Sequence, residues 1–324
     1  MSFPLIAVFV AVLACLVVGR TAGTAVRRLR PMQAVRLLTA ASLAVSLATG
    51  IALTAIAVAV IASLGSVAAE GHWSAAVIRA EVPVPAWLGA GAAVMVAVLL
   101  VRAAIRTVSI VLSLVRAEKL CRSLRTGNGP MVVLGDGSAD AFTIAGLHGC
   151  VVIGQRLLDE LDADERRVLT AHELSHLTRR HHLYVHIADI AAAANPLLRN
   201  VSAAVRLGVE RWADEDAAAG MGDRRVTGRA LARVALLRSA LARSSSGRGP
   251  TDLAARIPVL GVGALQVASR VQALLEPAPA RRNGRVATAV VLSILVLLVG
   301  IASLAHIREA IESAAPYLHH FRQR

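Results

Sequence analysis

Four long stretches of the chain are apolar and hold almost no Asp, Glu, Lys or Arg. A helix needs roughly 20 apolar residues to cross a hydrocarbon core of about 30 Å. Each stretch approaches or exceeds that length, and 56% of the 324 residues are hydrophobic. We therefore predict four transmembrane helices, at residues 3–19, 40–64, 84–104 and 286–307.

The first stretch could instead be a signal peptide that is removed from the mature protein. Such a peptide begins with basic residues, whereas none precedes this stretch. Arg20 follows it directly, as in a retained anchor. We expect the first helix to remain in the protein.

The distribution of arginines predicts how the helices are oriented. Lys and Arg near the ends of spans stay on the cytoplasmic side of a membrane. The connection after the first span holds five arginines, whereas the connection after the second holds Arg79 together with Glu70 and Glu81. We therefore expect both termini, including a short tail at residues 308–324, to lie outside. The segment between the third and fourth spans would then lie in the cytoplasm.

The net charge of +14 is compatible with two kinds of partner. Clustered basic residues can neutralise the phosphates of nucleic acids. In this chain much of the excess lies beside the predicted spans, where it orients the protein and attracts anionic lipid headgroups. We therefore expect the lipid bilayer as a partner and no direct binding to nucleic acid.

Residues 118–285 differ in character from the membrane region of residues 1–117. They contain acidic residues, turn residues and short apolar runs, and they are numerous enough to bury a core. Runs at residues 131–134, 142–144 and 150–153 predict three short strands joined by turns. We expect a mainly α membrane protein, with an α+β domain between spans three and four that contains a small antiparallel sheet.

The three cysteines show no spacing typical of a metal or redox motif. Cys15 lies within a span, and Cys121 and Cys150 lie in the segment assigned to the cytoplasm, where thiols stay reduced. We predict no disulfide.

An HExxH motif lies in the middle of this domain. Asp162 or Asp164 can cap a helix that is predicted to continue through His172 and His176 toward Tyr184. Residues four apart share one face of a helix, so both imidazoles can reach a single zinc ion, with Glu173 beside them as general base. The pentapeptide alone also recurs by chance. Two ordinary, hydrogen-bonded histidines are therefore the alternative.

A catalytic zinc site needs a third protein ligand. Glu210 can supply it, and Asp214 lies on the same helical face and can accept a hydrogen bond from His172. The alternative is a solvated acidic face, since Glu215 and Asp216 follow.

Three further histidines follow the motif at positions 181, 182 and 186. A helix end rich in His and Arg is more typical of a solvated cationic cap than of a catalytic group. We expect these side chains to be solvated.

The span layout, the HExxH motif and the ExxAD pattern from Glu210 to Asp214 resemble the BlaR/MecR family of membrane metallopeptidases and the related HtpX-type proteases. The stretch DAFTIAGLHGCVVIGQRLL, which begins at Asp140, is similar to their edge-strand region. The resemblance covers nearly the whole chain. It implies a zincin-like metalloprotease domain with one zinc ion per chain. It also implies a substrate-binding edge strand, formed by Phe142, Thr143, Ile144, Ala145 and Gly146.

The resemblance further implies a regulatory role, in which a membrane signal leads to cleavage of a BlaI-type transcriptional repressor in the cytoplasm. One departure is that the sensors of this family carry an extracellular penicillin-binding domain after the last span. Residues 306–324 are too few for such a domain. Two alternatives are an HtpX-like quality-control protease and a non-catalytic membrane scaffold.

Overall fold

The computed structural model of the chain describes residues 2–125, 129–135, 141–146, 149–244, 264–277 and 283–315. Residues 316–324 of the predicted tail lie outside the described residues, as do parts of the turns predicted between the strands.

Four helices are long and apolar enough to cross a membrane, which supports a multi-pass membrane protein. Each helix is longer than the apolar stretch predicted for it, although α2 ends two residues before position 64 and α5 begins two residues after position 84. Two short helices, α3 and α4, join the second and third spans. The bounds are α1 Phe3–Arg28, α2 Pro31–Ala62, α3 Gly65–Gly71, α4 Ala75–Glu81, α5 Ala86–Leu124 and, as the fourth span, α12 Asn283–Ala314.

The sheet has three strands, β1 Met131–Leu134, β2 Ala141–Ile144 and β3 Cys150–Gly154, in the order β1-β3-β2. Strand β2 pairs with β3 in antiparallel fashion, whereas β1 pairs with β3 in parallel. The prediction of an antiparallel sheet is therefore wrong for one of its two pairings. Turn residues mark where strands end, but they do not determine which edge of the sheet a strand joins.

In the part of the chain that the structure describes, six helices follow the sheet before the last span. They are α6 Gln155–Asp159, α7 Ala163–Thr178, α8 His181–Ala194, α9 Arg199–Met221, α10 Arg224–Ser244 and α11 Ala264–Leu275, with a 3-10 turn at Pro196–Leu198 before α9. Asp162 caps α7, because its side chain accepts from the Glu165 backbone N–H while the Glu165 carboxylate accepts from the Asp162 N–H.

The helix that bears the HExxH motif is shorter than predicted. It ends at Thr178, whereas the sequence pattern predicts one helix toward Tyr184. Arg180 adopts a left-handed conformation with φ of +51°, which ends the helical path and turns the chain into α8. His181 thereby begins a new helix that returns beside the motif.

Helices α8 and α9 form a hairpin whose tip packs between two spans. At the tip, Asn195 is 3% exposed, and its amide donates to Cys15 Sγ at 3.0 Å and to Thr49 Oγ1 at 3.2 Å. Cys15 lies within α1 and Thr49 within α2, so the tip reaches membrane depth. A cluster of buried apolar side chains from α1, α2, α8 and α9 surrounds this contact. The hairpin therefore anchors the domain directly to the membrane helices.

A disulfide joins Cys121 of α5 to Cys150 of β3. The prediction of no disulfide is wrong for this structure. The two residues are 29 positions apart and form no sequence motif, yet the fold brings their Cα atoms to 5.9 Å. The bond ties the end of the third span to the central strand of the sheet.

Replacing Asn195 with Ala removes the polar contacts between the hairpin tip and the spans. We expect a loss of about 1–3 kcal/mol in the free energy of unfolding, because Thr49 and the Leu197 N–H lose a buried partner. Reversible unfolding in detergent measures the change. Asn200→Ala is the matched control, since Asn200 is exposed one turn later. Equal stability of the two variants would contradict the assigned role of the tip.

Candidate metal centre

Three side chains that could bind a metal ion converge where α7 meets α9. His172 and His176 lie one turn apart on α7, and their Nε2 atoms are 3.2 Å apart. Glu210 of α9 directs its carboxylate toward both rings, at 3.7 Å from His172 Nε2 and 3.6 Å from His176 Nε2. The side chains are 9–11% exposed. The sequence-predicted trio thus forms one compact, nearly buried group.

The separations between these donor atoms suit a zinc ion. Tetrahedral ligands at 2.0–2.1 Å from zinc lie about 3.3 Å from one another. The three nitrogen and oxygen atoms lie within 4.8 Å of each other. Two histidines and one glutamate are also a ligand set found in catalytic zinc sites, which leave a fourth position open. The residues therefore fit the metal that the sequence predicts.

Small side chains on α9 allow it to approach α7 closely. Ala213 and Ala217 are fully buried. Ala217 packs against Val168 of α7 and Ala230 of α10. Larger side chains at these positions would push the helices apart and move Glu210 away from the histidines.

Asp214 lies behind the first histidine. Its Oδ1 atom is 3.1 Å from His172 Nδ1. The contact lacks the geometry of the predicted hydrogen bond and acts electrostatically. A carboxylate in this position orients the ring and raises its basicity.

Arg270 of α11 holds both carboxylates. Its Nε and Nη2 atoms lie 2.7 and 2.6 Å from the oxygens of Asp214, and Nη1 lies 2.8 Å from Glu210 Oε2. Sequence reasoning missed this residue. The available signal was weak, since Arg270 is the one charged residue in the otherwise uncharged helix α11.

The buried charges stabilise one another. Burial alone would raise the pKa of Glu210, but His176, His172 and Arg270 lower it well below its usual range. Burial lowers the pKa of His172, yet contacts with Asp214 and Glu210 outweigh this and raise it to about 9. A metal ion that binds His172 must compete with a proton for the ring nitrogen.

His181 lies in the core of the site, which contradicts the prediction of a solvated cap. It is 0% exposed, its Nδ1 atom is 3.1 Å from His176 Nδ1, and its ring packs on Trp212. Burial, followed by the nearby His176, lowers the pKa of His181 to about 3. The turn at Arg180 produces the buried position of His181, and the helical periodicity of the sequence does not predict this turn. His182 and His186 are partly buried and line the adjoining cavity.

The edge strand β2 lies beside the predicted general base. The Thr143 hydroxyl is 2.9 Å from Glu173 Oε2 and 2.8 Å from the Glu173 backbone carbonyl, so it bridges strand and helix. Among the described residues β2 pairs with no strand other than β3, so one of its edges has no partner strand there. Phe142 and Ile144 are buried, whereas Ala145 and Gly146 follow the end of the strand.

A cavity of about 1140 Å³ opens onto these groups. Its walls come from α5, β2 and helices α7 to α11, and they include His172, His176, Glu210 and Glu173. Ile110 and Leu114 of α5 also line the cavity. The volume exceeds that of a typical small-ligand pocket and suits a polypeptide segment.

Comparison with known families supports this interpretation of the site. Residues 109–281 match the model described as Peptidase family M48. That match contains the HExxH helix, Glu210, Asp214 and Arg270. Comparisons with curated proteins and with solved structures give no match.

Replacing Arg270 with Met leaves two buried carboxylates without their cation. Breaking a buried ion pair in this way costs about 3–5 kcal/mol, so we expect a much lower unfolding temperature in detergent. Arg233→Met, at an exposed position on α10, is the matched control and should unfold like wild type. The role assigned to Arg270 is wrong if both variants unfold at the same temperature in the presence of a chelator.

Proposed function

Because the chain belongs to peptidase family M48, we propose that it is a membrane-bound, zinc-dependent endopeptidase with His172, His176 and Glu210 as metal ligands. The observation that carries the proposal is the convergence of these three donors beside Glu173 in a large cavity. Family membership supports a metalloprotease, and the donor geometry supports zinc as its metal.

When bound, zinc would polarise the scissile carbonyl and lower the pKa of the attacking water. The residues of the chain supply the remaining functions. Glu173 takes a proton from the water and delivers it to the leaving amine. The Thr143 hydroxyl fixes the Glu173 carboxylate during this exchange. Asp214 and Arg270 hold His172 and Glu210 in position.

We propose that the substrate binds as an extended strand along β2. An added strand pairs through backbone hydrogen bonds, which impose little side-chain specificity. Among the described residues one edge of β2 has no partner strand, and Thr143 of β2 contacts Glu173, as this mode of binding requires. The third span lines the same cavity, which favours cleavage sites close to the membrane.

The identity of the substrate remains a prediction. A BlaI-type repressor follows from the BlaR/MecR resemblance, whereas the family match supports only the wider group of membrane metallopeptidases. An HtpX-like quality-control role would use the same site on many membrane proteins. Substrate breadth distinguishes the two: one repressor cleaved among many candidate proteins favours regulation, and broad cleavage favours quality control.

Glu173→Gln should abolish proteolysis without removing the metal. We expect activity to fall by about 10²- to 10⁴-fold, because the general base is lost, while zinc stays near one ion per chain. Glu210→Ala should lose zinc as well as activity. Peptide cleavage and metal analysis of the detergent-purified protein measure both effects.

Glu160→Gln, at an exposed position before α7, is the control for these variants and should match wild type in both assays. Wild-type protein without zinc, or full activity of Glu173→Gln, would overturn the proposal. A non-catalytic scaffold would then be the better account.

We propose that the peptidase domain lies between the third and fourth spans and faces the cytoplasm, with both termini outside. The arginines that follow the first span support this orientation. The disulfide between Cys121 and Cys150 argues for the opposite side, because the cytoplasm keeps thiols reduced. A direct measurement of orientation therefore decides between the two observations.

Single cysteines at exposed serines can report the orientation in intact cells. We expect Ser66→Cys in α3 to react with a membrane-impermeant maleimide, because that loop would lie outside. Ser239→Cys in α10 should react only after lysis. Wild-type protein controls for labelling of the native cysteines. The reverse pattern would place the peptidase domain outside and make the disulfide the better guide.

A further inference from the structure

Helix α5 carries an apolar stripe with the repeat of a coiled coil. Seven residues recur at alternating spacings of four and three along the helix. This 3.5-residue period keeps side chains on the seam between two supercoiled helices. We call these residues the α5 stripe: Val94, Val98, Val101, Ile105, Val108, Leu112 and Val115.

The α5 stripe lies opposite the face that packs against the rest of the chain. Its seven side chains are 47–65% exposed. Ala103, Ile110 and Ala117 lie two residues after Val101, Val108 and Val115, and they face inward and are half-buried or buried. Two residues on an α-helix differ by about 200° in direction. The helix thus has one face on the protein and an apolar, regularly spaced face pointing away.

The α5 stripe continues beyond the hydrocarbon core. About 20 residues from Ala86 suffice to cross it, so α5 leaves the core near Arg106. Val108, Leu112 and Val115 lie past this point, where exposed apolar side chains are unfavourable in water. Lipid contact explains the first half of the α5 stripe. It does not explain the second half, or the unbroken register across both halves.

The residues that flank the α5 stripe permit two copies to pair. A coiled-coil repeat has two core positions, and we assign Val98, Ile105 and Leu112 to the first of them. The residues beside the core would then form three pairs across a parallel dimer: Ala97 with Arg102, Ala104 with Ser109, and Val111 with Arg116. No pair brings two like charges together. Lys119 and Arg122 occupy the next core positions, and this ends the apolar repeat.

We propose that α5 pairs with α5 of a second copy of this chain, in a parallel coiled coil that begins in the membrane and continues beyond it. Copies inserted in the same membrane share one orientation, so their α5 helices are parallel. A repeated stripe with no like-charge flanking pairs is self-complementary, as a two-fold interface requires. The opposite face of the same helix lines the cavity at Ile110 and Ala117, so the dimer rigidifies one wall of each peptidase site.

Cysteine cross-linking in native membranes tests this pairing. Val101→Cys and Val108→Cys place a thiol at the seam, so oxidation should convert most of each variant into a disulfide-linked dimer. Leu100→Cys and Thr107→Cys are matched controls, because each is the neighbouring exposed residue at the same depth but faces away from the seam. We expect little dimer from either control or from wild type, whose unpaired Cys15 is buried.

Two outcomes would overturn the proposal. Equal cross-linking of seam and control variants would indicate random collisions in the membrane. The absence of cross-linking at Val101→Cys and Val108→Cys would assign the α5 stripe to lipid or to another partner. Mass measurement in nanodiscs gives an independent check: wild type and Thr107→Lys should be dimers, whereas Val108→Lys should be a monomer.

Discussion

The rest of the site depends on two carboxylates that α9 carries into the interior. Glu210 and Asp214 are buried, and an uncompensated buried charge is costly. Three kinds of partner compensate them: the two motif histidines, Arg270, and the metal that the site fits. Because Arg270 contacts both carboxylates, it links α11 to α9 and closes the cavity wall. The packing of three helices is therefore organised around one set of charges.

The membrane is part of this arrangement. Glu210 lies on α9, and the first turn of α9 packs against the spans beside the hairpin tip. Helix α9, which carries Glu210, packs against α1 and α2, and α7, which carries the two histidines, packs against α9. Residues of α5 from Arg106 to Ala117 also line the cavity. A change in how the spans pack would alter the shape of the cavity directly, since α8 and α9 pack against α1 and α2.

Some parts of the fold followed from local patterns, and others depended on contacts between distant residues. The capped helix from Asp162, the apolar spans and the spacing of Glu210 and Asp214 are features within a few turns of chain, where periodicity is informative. The parallel pairing of β1 with β3, the Cys121–Cys150 bond and the buried position of His181 are different. Each of these features forms only when distant segments pack together, and the local sequence of one segment does not predict which segment it will contact. Arg270 is the clearest example, because its role depends on two carboxylates more than 50 residues earlier.

The sequence by itself determined that the chain has four membrane helices and an HExxH peptidase domain, because hydropathy and helical spacing are local properties. It also identified the residues able to bind a metal. Only the tertiary structure decided that these residues meet, that Arg270 neutralises them, and that the α8–α9 hairpin inserts between the spans. The physical reason is that burial and charge compensation depend on which elements pack together. That packing is a property of the whole chain and not of any one segment.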